Sequence, residues 1–115
     1  MLAKKYGFIP YSGELMGLFT NESHVVFLWL GPGKVLFSVT QQGKAASCHF
    51  ASNKKGLRFL KQAIDEFVEF VFWSLKSVTM VLAQVERPSV GRLIEKVNFY
   101  PVAKCNNITV YARVR

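Results

Sequence analysis

The sequence predicts an α/β (α+β) chain with a mixed, mostly antiparallel twisted sheet, in the order β-β-β-α-β-α-β-β. Three observations predict it. Short apolar runs, several alternating with period two, lie between Gly, Pro, Asn and Gln turns on either side of a central segment. Within that segment, Leu57, Leu60, Ile64, Phe67, Val68, Val71 and Leu75 step by three and four residues, the period of a helix. A second apolar run, Val78 to Val85, follows directly. A helix joining two strands makes them parallel neighbours through a right-handed crossover.

Residues 1–22 are expected to form an irregular N-terminal segment, since Gly7, Pro10, Gly13 and Gly17 interrupt any long element. Leu15, Met16, Leu18 and Phe19 offer one apolar turn able to dock on the body. Residues 23–115 are expected to form the domain proper. His24 to Leu30 is almost continuously apolar, as in a strand covered on both faces. Gly31-Pro32-Gly33 marks a turn. Val35 to Thr40 alternates, Gln41-Gln42-Gly43 marks a second turn, and Ala45 to Ala51 reads as a third strand. These short connections imply an antiparallel meander.

Ser52 or Asn53 can cap the long helix. Its second half, Phe67 to Leu75, is apolar nearly all round and is expected deep in the core. After the buried strand Val78 to Val85, Pro88 suits the first turn of a second helix, Ser89 to Val97. Asn98 suits its left-handed end. Phe99 to Cys105 and Ile108 to Val114 are expected to pair as a closing hairpin about Asn106-Asn107. Strands 45–51 and 78–85 should lie parallel and splay apart at their C-terminal ends.

A chain of 115 residues suffices for one compact domain and not for two ordinary ones. Half its residues are apolar and only 19% are charged, which excludes a disordered tail. Two cysteines exclude a disulfide scaffold and a four-cysteine zinc site. No apolar run reaches the roughly 18 residues of a membrane span. Met1 to Pro10 carries Lys4 and Lys5 with no following apolar stretch long enough for a signal peptide. The expected setting is a reducing cytoplasm, with no membrane partner.

Fifteen Lys and Arg against seven Asp and Glu give a net charge of +8. The densest basic group is Lys54, Lys55, Arg58 and Lys61, with no acid among them. Such a group attracts phosphate, on nucleic acid, a cofactor or a lipid head group, or else is a solvated face. Nucleic-acid binding through it is expected to be weak, nonspecific and steeply salt-dependent.

This order of elements resembles the core of the GCN5-related N-acetyltransferase (GNAT) family from its second strand onward. In that family the strand before the long helix leads into Gln/Arg-x-x-Gly-x-Gly/Ala. Here the stretch reads Asn53-Lys54-Lys55-Gly56-Leu57-Arg58. A second motif, Tyr-Glu-Lys-x-Gly-Phe, is matched by Ile94-Glu95-Lys96-Val97-Asn98-Phe99. The resemblance covers roughly residues 23 to 115, with the family's first strand and first helices absent or shrunken into residues 1–22.

The resemblance implies acetyl-CoA as cofactor, its pyrophosphate near Lys54, Lys55, Gly56, Leu57 and Arg58, its pantetheine between strands 45–51 and 78–85. The physics of the loop agrees. A loop that opens a helix points free amides, and the positive end of the helix dipole, at one spot. The alternative is a capped helix start with exposed lysines.

Several departures bear on chemistry. Arg58 stands where the family has Gly or Ala, and its long side chain either obstructs a diphosphate or pairs with it. Ile94 replaces a Tyr that acts as general acid in many members. Arg87 replaces an Asn that often contacts the cofactor. Asn98 replaces a Gly, a change the left-handed conformation tolerates.

Acetyl transfer to an amine needs a base and a polarised thioester carbonyl. Glu86, at the end of the fourth strand, is the candidate base; its alternative role is an ion-pair partner for Arg87 or Arg92. His49 lies near the expected cleft, on the opposite strand face from Cys48, which argues against a Cys–His pair. Cys48, His49 and Cys105 lack a zinc spacing. Tyr100 and Tyr111 are candidate replacement acids. Gly91, inside the second helix, is expected to serve close packing on the sheet. Trp29, Trp73 and the ten Phe are expected in the core.

The reading that follows is a degenerate GNAT-like protein, similar to small phage-encoded proteins, with a structural, virion or host-interaction role. Its expected partners are coenzyme A and a protein of the virion or host. The alternatives are an active N-acetyltransferase moving acetyl from acetyl-CoA to an amine, and a nonspecific nucleic-acid-binding domain.

Overall fold

The computed structural model describes residues 4–115. Residues 1–3, the start of the expected N-terminal segment, lie outside the described residues. Seven strands form one sheet: β1 (Phe8–Pro10), β2 (Val25–Trp29), β3 (Val35–Gln42), β4 (Ala45–Ser52), β5 (Met80–Val85), β6 (Tyr100–Cys105) and β7 (Ile108–Val114). Their order across the sheet is β1-β2-β3-β4-β5-β7-β6. Only β4 and β5 run parallel; every other pair is antiparallel. The helices are α1 (Lys54–Leu57), α2 (Leu60–Ser74) and α3 (Pro88–Glu95).

Strand alternation sorts side chains to two faces. Val35, Phe37 and Val39 of β3, Ala46 and Cys48 of β4, and Val81, Ala83 and Val85 of β5 share one core with Ile64, Phe67, Val68 and Val71 of α2 and Ile94 and Val97 at α3. Both long helices therefore cover the same face. Phe67 stacks on Phe37 with ring centroids 4.2 Å apart. Arg113 of β7 joins the two helical elements, donating to Asp65 Oδ1 at 2.7 Å and to the Val97 carbonyl at 3.1 Å. On the other face, residues of the 11–24 segment contribute Leu18, which is buried, and the Phe19 carbonyl, which accepts from Ser38 Oγ at 2.6 Å.

The expected strand order, parallel pair, closing hairpin and left-handed Asn98 (φ 71°) are present. Four expectations need correction. Residues 1–22 are not irregular throughout: β1 adds an edge strand, with Phe8 opposite Trp29 and Pro10 opposite Phe27. It is held there by Glu66, a buried carboxylate of α2. Glu66 accepts from the Tyr6 amide at 3.0 Å, Trp29 Nε1 at 3.1 Å and Gln62 Nε2 at 2.7 Å. No local pattern marks this strand, because its anchor lies far along the chain.

The expected single long helix is two. After α1, the Arg58 and Phe59 amides make tight i→i−3 bonds to Lys55 O and Gly56 O, and Phe59 (φ −112°, ψ 11°) leaves helical geometry before α2 begins. Leu57 is exposed, so it is not part of the buried stripe. β2 is only partly covered: Trp29 is buried, Val26, Phe27 and Leu28 are half-buried, and Val25 at its start is 53% exposed. Of the aromatics expected in the core, Phe19 is 56% exposed, and Trp73 is not core either. It is 71% exposed, with the Lys76 ammonium over its ring, because it lies on the outer side of the last turn of α2.

Candidate functional site

β4 and β5 pair only over Ala45–Cys48 and Met80–Ala83. Beyond that point each keeps its outer neighbour. His49 to Ser52 stay paired to β3, and Gln84 and Val85 stay paired to β7. The two inner edges therefore diverge and present unpaired backbone N–H and C=O groups to the gap. The gap is a cleft of about 640 Å³. Phe50 and Val85 line it from the helical side, His49 and Gln84 from the opposite side, so the cleft passes through the sheet. This is the splay expected from the crossover connection.

Glu86, the candidate base, is exposed just past β5. It lines this cleft and the adjoining hollows on both sides of the sheet. Among the described residues it forms no ion pair with Arg87 or Arg92, so its carboxylate is available to a ligand.

The five residues expected at a diphosphate are placed differently from one another. Asn53 caps α1, its Oδ1 accepting from the Gly56 amide at 2.7 Å and from the Lys34 amide at 3.0 Å. The Asn53 amide donates back to Lys34 O at 2.9 Å. This one side chain ties the helix start to the β2–β3 turn. Gly56 is buried there. A Cβ on it would lie 2.5 Å from Lys34 O, and a Cβ on Gly33 would strike the Gly56 amide. Gly56 thus serves the close approach of the β2–β3 turn.

The Gly56, Leu57 and Arg58 amides are all engaged internally, to Asn53 Oδ1, Asn53 O and Lys55 O. Among the described residues, the Lys54 and Lys55 amides are the ones left without an acceptor at this helix start. The Lys54 and Leu57 side chains line the cleft; Lys55 and Arg58 are exposed beside it and do not. Arg58 therefore does not obstruct the cleft.

Ile94, at the position of the family's acid, is wholly buried between α3 and the sheet with no access to a leaving group. Tyr100 is an edge-strand residue, 44% exposed. Tyr111 lies on the helical face, with its hydroxyl under Gly91, where a Cβ would collide with Oη. Gly91 thus packs closely as expected, and the partner is Tyr111. Cys48 faces the core, where burial raises its thiol pKa and keeps it protonated, while His49 faces the cleft. Among the described residues no three His, Cys, Asp or Glu side chains come together as metal ligands.

Sequence reasoning missed one cluster at the cleft mouth. Phe19 lies 4.6 Å from the His49 ring, centroid to centroid, and His24 lies 5.8 Å from the same ring. His24 Nδ1 is 2.8 Å from Asn21 Oδ1. An amide oxygen only accepts, so Nδ1 donates to it, while the buried Nε2 has no hydrogen-bond partner among the described residues. Burial, and secondarily the neighbouring His24, push the His49 pKa below the usual histidine value.

The sign follows directly. The unfolded chain takes up the His49 proton more readily than the folded one, so stability is full above the ordinary histidine pKa and falls as pH drops below it. Urea midpoints are expected to decrease between about pH 7.5 and about pH 5.5, and His49→Gln is expected to reduce that decrease. An identical pH slope in the two proteins would contradict this.

No protein-family model matches the chain, and no curated protein matches its sequence. Its structure is nevertheless similar to several solved N-acetyltransferases. PseH from Campylobacter jejuni is 17% identical, with a TM-score of 0.68 over 83% of this chain and 70% of that one. A chimera of spermidine N-acetyltransferase SpeG from Vibrio cholerae and hSSAT is 12% identical, with a TM-score of 0.64 over 82% and 68%. AAC(6')-Ib, solved with ribostamycin and coenzyme A, is 17% identical, with a TM-score of 0.62 over 82% and 65%. At such identities the likeness establishes the fold: a mixed, mostly antiparallel seven-stranded sheet of the GNAT type.

Proposed function

We propose that this chain is a GNAT-fold protein whose acetyl-transfer chemistry is degenerate, and that it acts by binding. The role would be structural, in a virion, or in host interaction, the reading in which the chain is phage-encoded. One observation carries the reading. The loop that would cradle a diphosphate is closed on itself: three of its amides are spent internally, and the β2–β3 turn packs on Gly56. The burial of Ile94 supports it, since no proton donor stands at that position.

The split of the sheet is retained, and it fits an extended, amide-bearing arm such as pantetheine, whose groups would pair with the open edges of β4 and β5. Coenzyme A is present in one similar structure, which makes it the first ligand to try. Lys54 would hold its phosphates together with the Lys54 and Lys55 amides. The thioester is the chemistry that acetyl-CoA would supply.

A second reading, an active N-acetyltransferase, is favoured by Glu86, an unpaired carboxylate at the junction of the clefts. Incubation with acetyl-CoA and a panel of primary amines separates the two. Free thiol release no faster than the uncatalysed background is expected. Release that depends on amine and is abolished by Glu86→Gln would establish the enzyme instead.

A further inference from the structure

A second cleft, of about 600 Å³, lies on the helical side of the loop that carries Glu86. Arg87 lines it from the approach to α3, Arg92 from α3 and Lys104 from β6. Thr109 and Tyr111 of β7 add hydroxyls, and Glu86 on the shared wall is the one carboxylate in the lining. Gly91 leaves room for the Tyr111 hydroxyl beneath α3.

Three cations from three parts of the chain converge on this concavity. None of them forms an ion pair among the described residues. No acid lies in the first turn of α3 to balance them. Like charges brought together repel, and a concave wall focuses their field onto the space they enclose. The arrangement is balanced once an anion enters. Guanidinium groups match the planar or tetrahedral oxygens of carboxylate and phosphate, and hydroxyls complete the shell.

We propose that this cleft binds the anionic group, a phosphate monoester or a carboxylate, of a small ligand. Its volume falls within the range of small-molecule sites. A nucleic-acid backbone would instead need cations spread along a surface, as Lys54, Lys55, Arg58 and Lys61 are. The cleft shares Val85, Glu86 and Arg87 with the sheet split, but Arg92, Lys104 and Thr109 line only this one of the two, and none of its three cations belongs to the α1 loop.

The test is an amide-resolved NMR titration with inorganic phosphate and, separately, with citrate, at constant ionic strength. At least one anion is expected to give saturable shifts at Arg87, Arg92, Lys104 and Thr109; the tighter one identifies the group. Arg87→Gln/Arg92→Gln/Lys104→Gln is expected to weaken binding by about tenfold or more. A control losing the same charge elsewhere, Lys44→Gln/Lys61→Gln/Lys76→Gln, is expected to change it less than about twofold. Should the triple variant not fold, Arg92→Gln and Lys104→Gln alone are each expected to weaken binding by about threefold. Absence of saturation with both anions, or equal weakening in the control, would overturn the proposal. Acetyl-CoA titrated separately reports on the sheet split through Phe50 and Lys54, which do not line this cleft, and Arg92→Gln and Lys104→Gln leave that split intact, so the two readings fail independently.

Discussion

Glu66→Leu is expected to lower stability by about 3 kcal/mol or more and to release β1 from the sheet. Glu66 is buried, and its two oxygens accept from three donors: the Tyr6 amide, Trp29 Nε1 and Gln62 Nε2. Each hydrogen bond to a charged group contributes roughly 1.5–3 kcal/mol, and a donor left buried without an acceptor loses about 1–3 kcal/mol. Trp29 is the worst affected, since its ring is buried against Tyr6, 5.4 Å away edge to face, and Glu66 is the acceptor its Nε1 uses among the described residues. The strand β1 is only three residues long, so this anchor acts beside its pairing with β2 and the packing of Phe8 on Phe37, Phe67 and Phe70. Urea unfolding gives the loss, and amide exchange at Phe8 and Ile9 reports the detachment. A change under about 1 kcal/mol with β1 still protected would mean that the carboxylate is dispensable.

Gly33→Ala is expected to be nearly as damaging, for a different reason. Gly33 has φ +79°, where a Cβ costs about 1–2 kcal/mol. That Cβ would also run into the Gly56 backbone, which belongs to a helix start and cannot rotate away as a side chain can. Overpacking of this kind adds about 1–3 kcal/mol. The Asn53 bonds to the Lys34 and Gly56 amides would part together, so α1 is expected to fray. The melting temperature should fall by about 10 °C or more. Gly43→Ala is the natural comparison: it has a similar backbone angle (φ +64°) but nothing near its Cβ, and should pay only the conformational part. Equal losses in the two variants would show that the Gly33–Gly56 contact contributes nothing.

Much of this architecture was legible in the sequence because it is written in local periodicity. The alternation of Val35, Phe37 and Val39 and the helical stripe from Leu60 to Val71 each name a buried face. The crossover between Ala45–Ala51 and Val78–Val85 implies both the parallel pair and its splay. What stayed hidden depends on contacts between distant residues. β1 shows no alternation and contains Pro10; it is a strand because Glu66 and Trp29 hold it. The outward turn of Trp73 was masked by composition, since a stretch apolar nearly all round does not reveal which side of a helix faces solvent.

The candidate site divides the same way. The cleft and the place of Glu86 on its wall were legible, because strand ends beside a crossover must lie at the splay. The closure of the α1 loop was not, because Gly31-Pro32-Gly33 reads locally as a turn and nothing near it shows that Gly33 meets Gly56. The Phe19–His49–His24 cluster likewise joins three separate segments.

The central claim is that the sheet split is retained while the diphosphate cradle is closed. Three amides already committed to Asn53 and Lys55 are three fewer charge-assisted bonds to a diphosphate, each worth roughly 1.5–3 kcal/mol, or about a thousandfold or more in affinity together. Calorimetric titration of the protein with acetyl-CoA tests this most directly. Weak binding is expected, with a Kd of about 1 mM or higher, weakened further by Lys54→Gln. A Kd of about 10 µM or tighter would mean that the loop opens to receive the cofactor, and would contradict the closed cradle.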